Sequence, residues 1–300
     1  MNIKYRNTAF YSLLLVLVSL VPLCIDDCLA HDWNETQRIR STGSVSLRLT
    51  VFDCGSVIVR DSALLNLSLD KGEEKHLTNS CYLIEHPEGA LFWDTGLPDS
   101  VAELDAGKDV RHGTLHLSLS RTLKSQLSES AVDPAEITYL AVSHMHDDHV
   151  GNVAYFPAAK WLVQTVEYDV AFSQKALERG FHPAVYNTLE NNPVELLHGD
   201  HDVFGDGSVV ILYMPGHTEG HQALYVDLPQ TGPVVLSGDL YHFTGNRENY
   251  GIPVINFSKK QTVRSFADMD EILDRSGAQL WIQHDKEQNE TIRHAPEYYD

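Results

Sequence analysis

Three histidines and two aspartates lie within seven residues of this chain, in the stretch SHMHDDH from Ser143 to His149. The apolar run ITYLAV comes shortly before them and is typical of a fully buried strand. Imidazole and carboxylate groups resist burial unless a partner compensates them. A buried strand that ends on so many of these groups therefore indicates a site at which they bind a cation.

Three further apolar runs end in groups of the same kind. VVILYMPG is followed by His217, PVVLSG by Asp239 and LWIQ by His284. If these strand ends meet at one edge of the core, the groups would repel one another or stay unsatisfied unless metal ions held them. The candidate ligands are His144, His146, Asp148, His149, His217, Asp239 and His284.

The spacing of the first motif suits two metals. His144 and His146 are two residues apart, so they point to the same side of an extended segment, and Asp148 and His149 follow where a turn can direct them to a second ion. Imidazole with carboxylate favours zinc, with manganese, iron and cobalt as alternatives. The other histidines are interpreted as surface or internally satisfied residues: His76, His86, His112, His116, His182, His198, His201 and His294.

The elements around these motifs predict a single domain. Strand-like runs, helical segments, more strands, a helix and a last strand follow one another, and no linker rich in Pro, Gly or Ser divides residues 46–300. This order favours an α/β (α+β) fold in which helices cover two sheets. A helix is predicted in KKQTVRSFADMDEILDRSG, with Val263, Phe266, Ala267 and Leu273 on its apolar face.

Residues 1–30 have the pattern of a secretory signal. Lys4 and Arg6 precede the run AFYSLLLVLVSLVPLCI, Pro22 interrupts it, and small residues lead to a cleavage site after Ala30. The alternative is an uncleaved membrane anchor, because the run approaches the length of a spanning helix. Cleavage would leave a polar leader at 31–45 and the main domain at 46–300, in the periplasm or outside the cell, with no stable membrane association.

The net charge limits the kinds of molecule that the protein can bind. The formal net charge is −20, and it stays −20 after cleavage because residues 1–30 carry two basic and two acidic side chains. Such a chain should repel nucleic acid and anionic membrane surfaces, so a neutral or cationic small substrate fits better.

Cys54 and Cys81 remain after cleavage, either as a disulfide or as two buried free thiols.

The motifs resemble those of the metallo-β-lactamase superfamily. LFWDTG, SHMHDDH, PGHTEGH, LSGD and a late strand-end histidine occur in the order of that family, and the resemblance covers about residues 46–290. It implies a four-layer αββα sandwich of two mixed sheets flanked by helices, with a metal site at one edge of the sheets.

The resemblance also implies a role for each ligand. One metal would take His144, His146 and His217, the second Asp148, His149 and His284, and Asp239 would bridge the two. Asp94 resembles an aspartate that supports the ligand loop, and His221 would have a supporting or structural role. Redox-active di-iron members have a glutamate where this chain has His146, so the resemblance favours a hydrolytic site.

Within the superfamily, the chain resembles the N-acyl-homoserine lactonases. The likeness lies in NSCYLIEHPEGALFWDTGLPDS, VQTVEYDVA, PGHTEGHQALYV and LWIQHD. Many of those lactonases have a tyrosine three residues after the bridging aspartate, where it contacts the lactone. This chain has His242 there and Tyr241 one residue earlier, so His242 either contacts the substrate or only lines the mouth of the site.

The resemblance therefore implies a lactonase with two divalent metals, zinc first. The metals would share a water, make hydroxide available near neutral pH and direct its attack on the lactone carbonyl. Asp239 would bridge, Asp148 would carry a proton to the leaving alkoxide, and His242 or Tyr241 would bind the carbonyl. The alternatives are another hydrolase on the same site, such as an organophosphate or ester hydrolase or a β-lactamase, and a metal-binding protein without activity.

A lactonase also needs an apolar wall for the acyl chain. The candidates are Ala63 to Leu67, the segment from Phe172 to Tyr186, and Phe243. The same apolar residues would also suit the contact between two copies in a homodimer.

Overall fold

The computed structural model describes residues 47–66, 68–69 and 71–300, so the segments predicted as signal and leader lie outside the described residues. The strands are β1 Arg48–Val59, β2 Lys75–His86, β3 Gly89–Trp93, β4 Lys108–Val110, β5 Leu115–Ser118, β6 Tyr139–Ala141, β7 Lys160–Gln164, β8 Val194–Leu197, β9 His201–Asp202, β10 Val209–Tyr213, β11 Gln222–Leu228, β12 Gly232–Leu236, β13 Gln279–Trp281 and β14 Tyr298–Tyr299. The α-helices are α1 Leu123–Glu129, α2 Asp147–Val150, α3 Thr165–Ala171, α4 Pro183–Tyr186, α5 Thr244–Asn249, α6 Lys259–Ser276 and α7 Lys286–Asn289. In this described part, no helix has the length and apolar character needed to cross a bilayer.

The strands of the described residues form two mixed sheets. The first has nine strands, in the order β4-β5-β1-β2-β3-β6-β7-β8, with β14 paired beside β1. The second has five, in the order β13-β12-β11-β10-β9. Strands β3, β6, β7 and β8 are parallel to one another, as are β12 and β13, while the hairpins are antiparallel. The metal-binding motifs follow the carboxyl ends of β6, β10, β12 and β13 in the sequence.

The two sheets pack face to face and helices cover their outer faces. Tyr82 of β2 lies between the sheets in one core cluster with Ile211 of β10. The next residue along each strand points the other way: Leu83 packs in the cluster that includes helix α1, and Leu212 packs with Phe266 of α6. Because both faces of each sheet are buried, the strands read as continuous apolar runs. The predicted αββα sandwich is confirmed.

Helix α6 has the predicted position but not the predicted apolar face. The prediction that Val263 and Ala267 lie on the buried face is wrong, since both residues are exposed, Val263 to 56%. The residues that the helix buries are Thr262, Ser265, Phe266 and Met269. The Ser265 hydroxyl donates a hydrogen bond to the carbonyl oxygen of Pro215, two residues before His217. The helix therefore buries a face that carries hydroxyl groups, and these support the polar loop before His217. The spacing of apolar residues alone does not predict such a face.

Cys54 and Cys81 form a disulfide between β1 and β2, with their Cα atoms 5.8 Å apart. Of the two alternatives for these cysteines, the structure has the bonded pair. The bond joins residues separated by 27 positions, a loop for which a disulfide typically contributes about 3 kcal/mol to the free energy of unfolding. The bridge also packs against the loop after β3, because a Cβ on Gly96 would lie 2.3 Å from the Cβ of Cys54. It thus helps to hold the loop that begins with Asp94.

Candidate metal centre

Four loops at one edge of the sandwich carry the predicted ligands. The loop after β6 contains SHMHDDH, and the single turn of α2 reverses the chain direction after His146. The loops after β10, β12 and β13 contribute one ligand each, namely His217, Asp239 and His284. The structure brings all seven predicted ligands together. They form two groups in which the ligand atoms lie within 4.8 Å of one another: His144, His146, His217 and Asp239, and Asp148, His149 and His284.

The first group converges on the Nδ1 atom of His146. This nitrogen lies 2.7 Å from Nε2 of His144 and 3.0 Å from Nε2 of His217. Oδ2 of Asp239 lies 3.3 Å from the same His217 nitrogen and 3.8 Å from that of His144. Three imidazole nitrogens and one carboxylate oxygen therefore surround one point.

The second group converges on the other oxygen of the same aspartate. Oδ1 of Asp239 lies 3.0 Å from Nε2 of His284 and 3.2 Å from Nε2 of His149. The Asp148 carboxylate lies at 3.8 Å from His149 and 3.9 Å from His284. The two oxygens of Asp239 therefore face different groups of ligands, which is the geometry of a bridging carboxylate.

Hydrogen bonds on the far side of the rings decide which nitrogens of the first group carry lone pairs. Nδ1 of His217 lies 2.9 Å from Oδ1 of Asn256, whose amide nitrogen donates to Thr262, so this oxygen accepts and Nδ1 carries the proton. Nε2 of His146 donates in the same way to the carbonyl oxygen of Arg179, at 3.2 Å. The Nε2 lone pair of His217 and the Nδ1 lone pair of His146 thus face each other at 3.0 Å, an arrangement that a cation between them would stabilise.

The second group has the same arrangement. Nδ1 of His284 lies 2.6 Å from the carbonyl oxygen of Thr78, and Nδ1 of His149 lies 3.0 Å from Oδ2 of Asp94. Both oxygens accept, so in the neutral form of each ring Nε2 carries the lone pair and faces the Asp239 carboxylate. Nε2 of His149 and Oδ1 of Asp239 are also buried without a hydrogen-bond partner among the described residues. The donor set therefore fits two divalent metal ions.

The electrostatics of the site keep the histidines of the first group and Asp239 in their metal-binding forms. In the second group, burial would lower the pKa values of His149 and His284, but the neighbouring carboxylates, Asp239 first, outweigh burial and raise them, so a metal would displace protons there. Burial, followed by the neighbouring His217, lowers the pKa of His146 to about 3, and burial lowers the pKa of His217 to about 4. Burial would raise the pKa of Asp239, but the surrounding imidazoles, His284 and His242 first, hold it well below its usual range. Neutral imidazoles and an ionised bridging carboxylate are the forms that bind metals.

Three buried side chains hold the ligand loops in place. Asp94 accepts from the backbone N–H of Ser143 at 2.6 Å besides its contact with His149. Glu167 of α3 accepts from the N–H groups of Met145 and Gly220, at 3.1 and 2.8 Å, so it ties the loop after β6 to the loop after β10. Burial raises the pKa of Glu167 to about 7. His221 is fixed between the carbonyl oxygen of Met214 and the N–H of Asp239, each at 2.9 Å, in agreement with its predicted supporting role.

Comparison with known proteins agrees with this architecture. The model of the metallo-beta-lactamase superfamily matches residues 76–273. The chain belongs to the metallo-beta-lactamase superfamily. The N-acyl homoserine lactonase AttM of Rhizobium johnstonii is 31% identical over 244 residues, which cover 78% of this chain and 92% of that protein. An N-acyl homoserine lactonase of a Bacillus species is 29% identical over 243 residues, which cover 79% of this chain and 93% of that protein.

Solved structures of the superfamily superimpose on most of the chain. An N-acyl homoserine lactone hydrolase with the product N-hexanoyl-L-homoserine bound at its catalytic metal centre has a TM-score of 0.73 and 26% identity, and the match covers 84% of this chain and 98% of that one. A Bacillus thuringiensis AiiA variant with N-decanoyl-L-homoserine at its active site gives the same TM-score, 0.73, at 26% identity and 84% coverage of this chain.

The structure distinguishes between His242 and Tyr241, the two predicted substrate contacts of this superfamily member. Nε2 of His242 lies 3.2 Å from Oδ2 of Asp239, and its Nδ1 has no hydrogen-bond partner among the described residues. Tyr241 is fully buried on the other side of its strand-like segment, where its ring stacks on Phe266 of α6 at 4.8 Å. The segment is extended at residue 241, so the two neighbouring side chains point in opposite directions. Tyr241 is therefore a core residue in this structure.

The predicted acyl walls are largely used for internal packing. Phe243 packs with Leu65, Val57 and Leu77, and Leu67 lies outside the described residues. Phe172 and Tyr186 contact each other as part of the core beneath α3 and α4.

The cleft that opens beside His146 and His217 is lined in part by the predicted segment from Phe172 to Tyr186 and by the PGHTEGH motif, and in part by a loop before α6 that the sequence did not single out. Its volume is about 250 Å³. Arg179, Glu219 and Phe257 line it, and the Arg179 guanidinium bonds Glu219 at 2.6 Å and lies over the Phe257 ring. A helical segment before α4 and a loop before α6 form this cleft, so only their approach in the fold reveals it.

Proposed function

We propose that this protein opens the lactone ring of N-acyl homoserine lactones and that it holds two divalent metals, of which zinc suits the ligands best. One observation carries the proposal: Asp239 joins two complete groups of ligands in a chain that is 31% identical to an N-acyl homoserine lactonase. The product would be the ring-opened N-acyl homoserine. The organophosphate, ester and β-lactam alternatives lack a comparable likeness among the relatives described above.

The residues divide the work of the proposed reaction. When bound, the two metals would activate a water and polarise the lactone carbonyl. Asp148 has the most exposed carboxylate of the site, at 27% of its side chain, so it is accessible to substrate. It takes the proton that the attacking water releases and delivers it to the ring oxygen as the C–O bond breaks. Water thereby adds OH to the carbonyl carbon and H to the leaving oxygen, which gives a hydroxy acid.

The experiment that tests the proposal compares three substrates on the zinc-loaded protein. The assays measure acid release from an N-acyl homoserine lactone, ring opening of a β-lactam and hydrolysis of a phosphotriester. We expect kcat/KM to be highest for the lactone and to be lost after removal of metal with a chelator. Faster turnover of the β-lactam or the phosphotriester would replace the proposed substrate, and turnover of none of the three would favour the metal-binding protein without activity.

His242 is the proposed substrate contact, because its Nε2 lies 3.2 Å from Oδ2 of Asp239 and so faces the ligand cluster where the lactone would bind. Replacement by phenylalanine keeps the ring volume and removes both nitrogens. We expect His242→Phe to lower kcat/KM on the order of 10- to 100-fold, the effect of losing one hydrogen bond worth about 1.5–3 kcal/mol, while two metals per chain remain bound.

Two variants and one measurement separate the alternatives for His242. His242→Tyr restores a hydrogen-bond donor and should recover part of the activity. Metal content, measured by elemental analysis, distinguishes a substrate contact from a metal ligand, because only the loss of a metal ligand lowers it. A kcat/KM within about twofold of the wild type for His242→Phe would mean that the ring only lines the mouth, since loss of a real contact costs more than that.

We also propose that the enzyme is exported, with cleavage after Ala30. The disulfide between Cys54 and Cys81 supports this, because such bonds form and persist in oxidising compartments. N-terminal sequencing of the protein from a fractionated producing cell should find a chain that begins at His31 outside the cytoplasm. A cytoplasmic chain that begins at Met1 would reject the proposal. The homodimer stays a prediction, which light scattering of the purified protein tests.

A further inference from the structure

Charged side chains that are not predicted ligands lie beside His146. Asp147 precedes the ligand Asp148, and its Oδ2 lies 2.7 Å from Nδ1 of His182. Oδ1 of Asp147 is buried and has no hydrogen-bond partner among the described residues. The histidine was predicted to be a surface residue, and it is 46% exposed, but it borders the site. This side of the site is therefore charged rather than apolar.

The side chain of Arg111 also lies beside His146, and its backbone belongs to the hairpin between β4 and β5. Arg111 and His112 both have positive φ, 50° and 56°, and Gly113 follows with φ 80°. Two consecutive non-glycine residues in the left-handed region cost roughly 1–2 kcal/mol each, so this turn is a strained one. The tight turn reverses the chain between the two strands.

Gly180 shows where the guanidinium lies. A Cβ on this glycine would be 2.7 Å from Nη2 of Arg111 and 3.5 Å from Nε2 of His146. The guanidinium and the ligand histidine therefore flank the same backbone position, and any side chain at residue 180 would displace the arginine. Gly180 has φ 77°, which glycine adopts readily.

Arg111 differs from the other arginines of the described residues. Arg60, Arg121, Arg179, Arg247, Arg264 and Arg275 each pair with a carboxylate, and Arg48 and Arg293 each lie over an aromatic ring. Arg111 has no salt bridge, hydrogen bond or ring contact from its side chain within this part of the chain. The charge of Arg111 acts on the nearby Asp147 carboxylate, but the two groups form no hydrogen bond or salt bridge in this part of the chain, so the guanidinium donors are available for a ligand.

We propose that Arg111 determines acyl-chain specificity by donating hydrogen bonds to a carbonyl oxygen on the acyl chain of the substrate. This inference rests on the proposed lactonase function. With the lactone carbonyl at the ligand cluster, an acyl chain that leaves the cluster past His146 would come within reach of the Arg111 guanidinium. A guanidinium recognises carbonyl oxygens through several N–H donors, and a 3-oxo chain offers it a second acceptor besides the amide carbonyl that all these lactones share. The favoured substrate class is therefore N-(3-oxoacyl) homoserine lactones.

The test measures kcat/KM for two lactones of equal chain length, N-hexanoyl and N-(3-oxohexanoyl) homoserine lactone. We expect the wild type to prefer the 3-oxo substrate, and Arg111→Leu to reduce the ratio of the two kcat/KM values about tenfold, the usual worth of a charge-assisted hydrogen bond. The change should appear mainly in KM. Arg111→Lys keeps the charge with fewer donors and should retain part of the preference. Arg121→Leu, at an exposed arginine paired with Glu129, is the matched control and should leave the ratio unchanged.

Metal content is measured in every variant, because it separates specificity from support of His146. Equal loss of both activities together with loss of metal from Arg111→Leu would overturn the proposal in favour of a positioning role. An unchanged ratio at full metal content would show that the arginine does not recognise the 3-oxo group, and would also overturn it. Absence of turnover of either lactone by the wild type would instead reject the proposed function, and the specificity proposal with it.

Discussion

Asp239→Ala is expected to release both metals and to lower kcat/KM on the order of 10⁴-fold, because the carboxylate belongs to both groups of ligands. Its Oδ2 faces His144 and His217, and its Oδ1 faces His149 and His284. Removal leaves only imidazoles in the first group, and leaves Asp148 as the one carboxylate of the second group. Loss of metal-assisted stabilisation of the transition state accounts for several kcal/mol, and each 1.4 kcal/mol is worth about a factor of ten in rate.

Asp239→Asn provides a sharper version of the same test. The asparagine side chain has the same shape, but only one of its terminal atoms accepts, so it should retain one metal at most. Elemental analysis of metal per chain, together with lactone turnover, measures both variants. Asp274→Ala, at an exposed position on α6, is the matched control and should keep two metals. Two tightly bound metals in Asp239→Ala would contradict the bridging role.

Asp94→Asn is expected to weaken the second metal site by about 10- to 100-fold in affinity, although Asp94 is not a ligand. The aspartate accepts twice, from the N–H of Ser143 and from Nδ1–H of His149. An asparagine that keeps the first bond presents its amide N–H₂ to the histidine. That would move the ring proton to Nε2, which points at Asp239, so His149 could no longer bind a metal. Asparagine tolerates the left-handed backbone at this position, φ 56°, so the change acts through the hydrogen bonds.

Metal affinity of Asp94→Asn is measured by competition with a chelator, and turnover is measured at saturating and limiting zinc. Excess zinc should restore part of the activity, which a misfolded variant would not allow. Asp202→Asn is the matched control, because that carboxylate also accepts two backbone N–H groups, those of Gly205 and Gly207, away from the ligand cluster. Unchanged affinity at both sites in Asp94→Asn would show that the tautomer of His149 does not depend on this pair.

The ligand set and the fold class were predictable because each signal is local. A buried strand has a continuous apolar sequence, and a histidine or aspartate at its end stands out against it. The loops after β6, β10, β12 and β13 all have this form. Since parallel strands of a sheet end at a common edge, the convergence of such residues follows from the pattern. All seven predicted ligands lie in the two groups of the structure.

The residues behind the ligands were not predictable, because nothing in their own neighbourhood in the sequence marks them. Asn256 orients His217 from a loop 39 residues later, and Glu167 ties two loops together from helix α3. The carbonyl oxygen of Thr78 orients His284, which is 206 residues away in the chain. Each contact depends on the approach of distant segments and, for Thr78, on a backbone atom that any residue would supply.

The amino-acid sequence alone therefore decided the fold class and the seven candidate ligands, since strand ends and motif spacing are local properties, and the resemblance to the metallo-β-lactamase superfamily supplied the division of the ligands into two groups. The tertiary structure decided the matters that depend on direction and distance. Tyr241 and His242 are neighbours, and only the extended backbone places one in the core and the other at Asp239. The 5.8 Å between the Cα atoms of Cys54 and Cys81, and the position of Arg111 over Gly180, depend on strand pairing and on a strained turn. Packing between segments far apart in the chain sets these geometries, and no single segment contains that information.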